Sequence, residues 1–550
     1  MAKRKVIILI SGEIASGKTT LAHKLSDSFG FKVLKTRDAI QSLAKKKLKG
    51  EEPDRTFLQE FGTGLDKRED GKWVLEYFQN DFDFSFAAHD FFVVDAVRIL
   101  KQIDHFRKAY SYSVYHIHLT ASSNCLKERF LTREEVKDLS SSQALKKYNA
   151  AKSEETEQQV YTLAEDADLT IDTELSTKED VFIRVASFLK LLAPTNNKLV
   201  DVIVGGQFGS EGKGHIAAHI APEYDCLVRV GGPNAGHTVY EEPIKDVFHL
   251  LPSGSRRNPN AKLLLGPGSV INLDKLLEEA SKYGILDELE KSKRLVIDEN
   301  AIVIRQKDID YEQKIKRTIS STGQGVGSAT ANNLLARLHG DDKHKAKHFK
   351  QLEPFRGSTF EELELLYQSN KRILLEGTQG TMLSLHHGLY PHVTSRDTTV
   401  SGCLSEAGIS PKRVNKIIMV TRTYPIRVGG ASGPFLSKEI DFGIVAKRSG
   451  KNPAELKKNE KTTTTKIDRR VAEFSWSLFR KACELNSPTD IALTFVDYFS
   501  TTNEKARRYD QLTSETRQFI EEIERCSGVK VSLISTCFDY RAIIDRRNWK

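Results

Sequence analysis

LVDVIVGGQFGSEGKGHIAAHI, residues 199–220, decides the fold class. Residues 199–204 form a run of strand length that is apolar apart from Asp201, glycines crowd 205–214, and helix-compatible residues follow. A buried strand that ends in a glycine turn and feeds a helix opens a parallel α/β unit. The chain begins with the same grammar: a strand over 6–10, a glycine-rich turn, and a helix through 21–29.

Working outward, further strands are expected at 32–34, 91–95, 114–119 and 168–171, with a helix at 124–131 and a last one at 181–192. The polar stretch 193–197, containing Pro194, marks a boundary, giving domains over 1–193 and 198–550. In the second domain, strands are expected at 262–265, 294–297, 372–375, 416–420, 490–494 and 530–534. No internal repeat is evident. A chain of 550 residues exceeds what one hydrophobic core serves, which agrees with two domains.

Composition removes several classes of function. The apolar run at the N-terminus stops at Ile10 and meets a glycine turn, so it reads as a strand and not as an export signal. No window reaches the roughly 18 apolar residues of a membrane span. A cytoplasmic protein is expected. Cys125, Cys226, Cys403, Cys483, Cys526 and Cys537 form no CxxC pair and have no histidines at zinc-finger spacing, which argues against disulfides and structural zinc. The net charge of +9 is spread over interleaved lysines and acids without an aromatic-basic stripe, so it reads as a solvated surface suited to anionic small substrates, with no nucleic acid expected.

Gly12-Glu13-Ile14-Ala15-Ser16-Gly17-Lys18-Thr19 matches G-x-x-x-x-G-K-[ST] between a strand and a helix. Gly12 and Gly17 let backbone N–H groups wrap phosphates, Lys18 reaches the outer ones, and Thr19 suits magnesium. This segment resembles small kinases of the nucleoside-monophosphate kinase type. The resemblance implies a magnesium-side carboxylate at Asp95 and phosphate clamps among Arg37, Arg98, Arg129 and Arg133, the last two four apart on one helix face.

Five motifs carry the chemistry of the second domain. They are Gly205–Gly214, ending Glu-Gly-Lys-Gly; Gly231-Gly232-Pro233-Asn234-Ala235-Gly236-His237-Thr238; Ser321-Thr322-Gly323-Gln324-Gly325-Val326-Gly327; Glu376-Gly377-Thr378-Gln379-Gly380-Thr381, continuing through Tyr390 to Ser395; and Thr462-Thr463-Thr464-Thr465-Lys466-Ile467-Asp468-Arg469-Arg470. Alone, a histidine in a glycine-rich loop reads as structural, and a threonine run beside basic residues reads as a polar loop. Together the motifs resemble the adenylosuccinate synthetase family over nearly all of 198–550.

The resemblance implies a ligase that joins L-aspartate to a purine nucleoside monophosphate with ATP or GTP and Mg2+, acting as a homodimer. It implies Lys213 on the transferring phosphoryl group, His237 as general acid, and Asn234, Thr322 and Thr394 on the nucleotide phosphate. Gln379 would read the purine, Gly236 would ligate magnesium, and Thr464, Thr465, Arg469 and Arg470 would bind aspartate. Arg337 falls near an arginine that the family donates across its dimer interface. Asp497 would read the triphosphate's base, although Phe495 stands for a lysine and Cys537 for a glycine, which leaves ATP and GTP both open.

Ser210 departs from the family pattern. It takes the place of an aspartate that serves there as base and magnesium ligand, so a catalytic and a metal role both pass to a serine. The loop resembles that of phage-type 2-aminoadenylosuccinate synthetases, which carry serine and act on dGMP. Ile467, where the family has a ribose-touching arginine, points the same way. The expected fold is α/β: two P-loop-like parallel-sheet domains, the small one kinase-like and the second adenylosuccinate-synthetase-like. The expected function is ligation of aspartate to (d)GMP, with IMP ligation driven by GTP, or nucleotide sensing by a degenerate site, as alternatives.

Overall fold

A computed structural model describes residues 5–48, 53, 55–81, 91–133, 136, 139–153, 155–192, 195–241, 243–286, 294–319, 322–462 and 467–547. The chain divides into two compact units, Met1–Leu192 and Ala193–Lys550.

The smaller unit is a five-stranded parallel sheet. Its edge-to-edge order is Lys32–Lys35, Phe91–Asp95, Val6–Gly12, Val114–Thr120, Leu169–Asp172. Val6–Gly12 is buried along its whole length because it is central and covered on both faces, which explains its unbroken apolar run. Ile7 and Leu9 join one apolar cluster, and Val6, Ile8 and Ile10 join the other. The helix after the phosphate loop spans Lys18–Phe29, earlier than expected, because Gly17 turns the chain at φ 97° and leaves Lys18 already helical. The last helix spans Lys178–Phe188, not 181–192: Thr177 and Asp180 cap its start reciprocally, and Lys190 at φ 56° lies past its end.

The larger unit is built on a ten-stranded sheet. Its order is Arg356–Gly357, Leu295–Asp298, Lys262–Leu265, Cys226–Arg229, Ile373–Glu376, Val200–Gly205, Val414–Arg422, Asp490–Thr494, Val531–Ser535, Ile543–Asp545. Every pairing is parallel except the last. Val200, Val202 and Val204 enter one core cluster and Ile203 the other, the two-residue alternation of a strand covered on both sides. Asp201, buried among them, is satisfied by the Tyr224 hydroxyl at 2.7 Å, Arg372 at 3.0 Å and Asn415 at 3.0 Å.

Two smaller assemblies carry site residues. His237–Glu241 pairs with Ile244–Phe248 as a hairpin, and Arg469–Ala472 lies between Ile426–Val428 and Glu439–Ile440. All six cysteines are free. Among the described residues no helix is long and apolar enough to cross a membrane.

Candidate active site

The glycine loop follows the central strand of the larger unit and delivers Gly212, at φ 91°, to the start of the helix Lys213–Ile220. Glu211 turns inward and is fully buried. Its carboxylate accepts from the backbone N–H of Gln207 at 3.1 Å and Gly209 at 2.8 Å, and from Lys213 Nζ at 2.5 Å. A Cβ at Gly205 or Gly380 would collide with that carboxylate, so the glycines make room for it. Sequence reasoning gave Glu211 no role. The available signal was an acid inside a loop otherwise suited to anions. Ser210 is exposed at φ 56°, with its hydroxyl oxygen 3.3 Å from Arg469 Nη2 and its carbonyl 3.3 Å from Arg422 Nη1.

His237 is the first residue of its strand and not part of the glycine turn. Its Nδ1 lies 2.5 Å from Glu376 Oε1, and Glu376 also accepts from Ser253 N at 2.7 Å and Ser253 Oγ at 2.5 Å. Burial alone would push the Glu376 carboxyl up, but Arg229 and His237 outweigh it and hold the group at about 2. A permanently ionised carboxylate only accepts, so Nδ1 carries the ring proton and Nε2 is the free atom. Burial first, then the charges of Arg229 and Lys213, lower His237 to about 4, so the imidazole of the unliganded site is neutral.

Of the residues expected to meet substrates in the larger unit, Gln379 Oε1, Asn234 Oδ1 and Asp497 Oδ1 are buried without a partner among the described residues. Gln379, at φ 65°, donates through Nε2 to Thr394 Oγ1 at 2.8 Å, which joins the expected purine and phosphate residues directly. Asp497 Oδ2 pairs with Lys451 at 2.8 Å, and burial pushes its carboxyl up to about 6 against that lysine's pull. An unsatisfied buried acceptor costs about 1–3 kcal/mol, which a ligand's N–H would recover.

Thr322 precedes Gly325, whose φ of 85° starts the helix Val326–Ala336. Glu312 accepts there from the N–H groups of Gly325 at 2.8 Å and Gly327 at 2.5 Å. Arg337 is exposed on the turn Arg337–His339. Thr464 and Thr465 lie outside the described residues.

On the strand Arg469–Ala472, alternation separates the two arginines. Arg469 reaches Glu460 at 2.9 Å and Ser210, whereas Arg470 is held in a two-point pair by Glu439 at 2.7 and 2.6 Å. Arg469 is therefore the one brought to the glycine loop.

In the smaller unit, Lys18 Nζ curls onto the carbonyls of Gly12 at 2.6 Å and Glu13 at 2.9 Å. Burial lowers this lysine to about 8, with Glu157 opposing the shift. Thr19 Oγ1 donates to Asp95 Oδ2 at 2.8 Å, and Asp95 Oδ1 is buried without a partner. Glu157 accepts from Ile14 N at 3.1 Å and pairs with Arg98 at 3.4 Å. Arg37 is exposed. The expected shared face of Arg129 and Arg133 is not formed. The helix ends at Leu131, Arg129 is spent on Thr173 at 2.8 and 2.7 Å, and Arg133 lies beyond the end, 5.3 Å over Phe130.

A family model described as adenylosuccinate synthetase matches residues 202–340 and 338–504. The adenylosuccinate synthetase of Methanocaldococcus jannaschii is 36% identical over 358 residues, covering 63% of this chain and 96% of its own. The enzyme of Thermococcus onnurineus is 34% identical over 353 residues, covering 63% and 98%. Among solved structures, the fully ligated adenylosuccinate synthetase of Plasmodium falciparum shares the fold, with TM-score 0.54, 23% identity, and 64% of this chain and 100% of that one covered. The cyanophage S-2L succinoaminodeoxyadenylate synthetase, bound to dGMP and to dATP as an energy donor, aligns with TM-score 0.51 at 27% identity, covering 64% and 96%. With its glycine loops, buried histidine and arginine-bearing strand carried by the matched region, the chain belongs to the adenylosuccinate synthetase family of aspartate–purine nucleotide ligases.

Proposed function

We propose that the ligase unit joins L-aspartate to dGMP or GMP, giving a 2-amino succinyladenylate. The observation that carries this reading is Ser210, a neutral hydroxyl beside Arg469 where the family has a carboxylate. A carboxylate next to N1 would crowd a purine 2-amino group, whereas a shorter hydroxyl leaves room for it and can accept from it. The cyanophage relative, solved with dGMP, supports the same substrate class.

The chemistry runs in two steps. The purine 6-oxygen attacks the γ-phosphorus of the triphosphate, expelling the diphosphate. The aspartate amine then attacks C6, and inorganic phosphate leaves with the 6-oxygen. Lys213 and the glycine-loop amides stabilise the transferring phosphoryl group, which needs positioning and charge neutralisation above all. His237 Nε2 faces the charge that develops on the 6-oxygen or its phosphate. Gln379 Oε1 accepts from the purine, Asn234, Thr322 and Thr394 hold its phosphate, and Asp497 Oδ1 reads the base of ATP or GTP. Serine cannot act as base near neutral pH, so the N1 proton falls to the substrate aspartate's own carboxylate, drawn in by Arg469.

Magnesium, when bound, would neutralise the triphosphate. In the smaller unit Thr19 and the unpartnered Asp95 Oδ1 suit it. In the ligase unit Ser210 does not, because its oxygen already accepts from a guanidinium, and a cation there would be repelled. The Gly236 carbonyl and the substrate phosphates would hold the ion there instead.

The deciding measurement is phosphate release from purified protein with magnesium, ATP or GTP, and each of IMP, GMP and dGMP, with and without aspartate. Aspartate-dependent release with dGMP or GMP is expected. No such release with any nucleotide would favour a nucleotide sensor built on the ligase pockets.

The smaller unit is proposed to bind a nucleoside triphosphate independently, as a kinase-like module. Its phosphate loop and apolar clusters lie wholly within it. Lys18→Ala should weaken triphosphate binding by a 1–192 fragment at least about tenfold, the scale of one charge-assisted contact. Unchanged affinity in a calorimetric titration would overturn this.

A homodimer is also proposed. Leu334, Leu335 and Leu338 are 58%, 71% and 83% exposed around Arg337, an apolar face that a second copy would cover. Sedimentation should give a dimer at micromolar concentration; a monomer throughout would refute it.

A further inference from the structure

Glu460 lies 38 residues from Arg422 and nine from Arg469 in sequence, yet it joins both. Its Oε1 accepts from Arg422 Nη2 at 2.8 Å and from the Tyr498 hydroxyl at 2.6 Å, and its Oε2 accepts from Arg469 Nη1 at 2.9 Å. The carboxylate is buried, so these bonds are not shared with bulk water. Arg422 is equally buried, lies 3.9 Å over the Phe495 ring and donates to the Ser210 carbonyl. Arg469 donates to the Ser210 hydroxyl from the other side. One carboxylate thus fixes two guanidiniums, and both of them grip Ser210.

The charge does not balance. Two arginines face one glutamate, and Ser210 contributes none. Of the five N–H donors of Arg469, one is taken by Glu460 and one by Ser210, and the rest have no partner among the described residues, on a side chain that is 15% exposed. A guanidinium edge with surplus positive charge, mostly buried but still 15% exposed and locked in direction from behind, is built to receive a carboxylate in two-point contact.

We propose that Glu460 is the positioning residue of the aspartate site, aiming Arg469 so that its free edge receives a carboxylate of the incoming amino acid next to Ser210. Glu460 itself does not touch substrate. The inference rests on the ligase reading for the identity of the dicarboxylate, and on the hydrogen bonds alone for the positioning. Misaiming a guanidinium loses a charge-assisted contact, about 1.5–3 kcal/mol, or roughly 10- to 150-fold in affinity. The loss falls on the dicarboxylate and spares the nucleotide.

The test uses the full chain with Glu460→Gln, which keeps shape and removes charge, and Glu460→Asp, which keeps charge but is too short to span both arginines. Either variant should raise KM for L-aspartate at least about tenfold, while KM for the purine nucleotide stays within about threefold. Succinate, which has both carboxylates and no amine, is the binding probe. By calorimetry in the presence of dGMP it should bind the unaltered protein and bind the variants at least about tenfold more weakly. Should Glu460→Gln fail to fold, Glu460→Asp carries the test, because it leaves no uncompensated arginine pair. A folded variant with unchanged aspartate KM and succinate affinity overturns the proposal, and so does an equal loss for every substrate at unchanged Tm. Unaltered protein that binds succinate but releases no aspartate-dependent phosphate would overturn the ligase reading and leave the positioning role standing.

Discussion

His237→Ala should lower kcat for ligation by about 10²–10⁴ while leaving nucleotide binding within a few-fold, because an acid acting on developing charge contributes mainly in the transition state. The geometry sharpens this expectation. His237 is neutral in the free site, with Nδ1–H fixed on Glu376 and Nε2 unprotonated, so it becomes an acid only when an anionic phosphate arrives beside Nε2. Triphosphate binding near pH 6.5 should therefore draw a proton from the buffer, seen as a dependence of binding heat on buffer ionisation heat, and His237→Ala should remove that uptake, leaving the part that Asp497, raised to about 6, contributes. His237→Asn separates the roles, since its amide can still donate to Glu376 but offers nothing at Nε2. If the histidine serves only to hold Glu376, Asn restores turnover; if it is the acid, Asn is as poor as Ala.

The same burial has a cost in stability. A histidine held at about 4 in the folded chain against about 6.5 unfolded lets the unfolded state take up a proton first, so stability falls as pH drops from about 6.5 towards 4. His237→Ala removes that loss, and its Tm should depend less on pH in this window.

Much of this architecture is written in apolar runs. Val200 to Val204, β-branched apart from Asp201 and bounded by glycines, reads as a strand covered on both faces, and the phosphate loops announce the turns. Harder to see was Cys226–Arg229, a short buried strand that ends in a charged residue, where Arg229 is satisfied by Glu376, by the Ser253 hydroxyl and by carbonyls of Leu251, Ala235 and Phe248. Ile543–Asp545 closes the sheet antiparallel beside a basic tail and carries too few apolar residues to stand out.

At the site, His237, Gln379 and Ser210 were named through the family resemblance of their motifs, since a histidine in a glycine-rich loop reads as structural by itself. The carboxylates that orient them were silent. Glu460 sits in Lys457-Lys458-Asn459-Glu460-Lys461, which reads as a solvated charged stretch, and only the fold brings Arg422 to it. Glu376 was visible as part of a motif, but its hold on His237 spans 139 residues, and no local pattern encodes that. Likewise, Arg469 and Arg470 are equivalent in sequence and separate only when strand alternation sends one to Ser210 and the other to Glu439.

Ser210→Asp should swing the ratio of kcat/KM for dGMP over IMP by about 10²-fold or more towards IMP. The backbone allows the change: Ser210 lies at φ 56°, a conformation aspartate tolerates better than most residues, so the loop should keep its shape. The new carboxylate would meet Arg469 and balance the surplus positive charge of the Arg422–Glu460–Arg469 cluster. It would also supply a base beside N1, which favours a purine whose N1–H must be removed, and it would press against a 2-amino group. Discrimination built on one hydrogen-bonded group reaches 10⁴–10⁵ where that group is buried; Ser210 is exposed in the free loop, so about 10² is the expectation. The measurement is aspartate-dependent phosphate release with dGMP, GMP and IMP for both proteins, with Tm as the control for folding. If the unaltered protein turns over IMP well and ignores guanine nucleotides, Ser210 is no specificity switch, and the chain acts as an IMP ligase whose N1 base lies elsewhere.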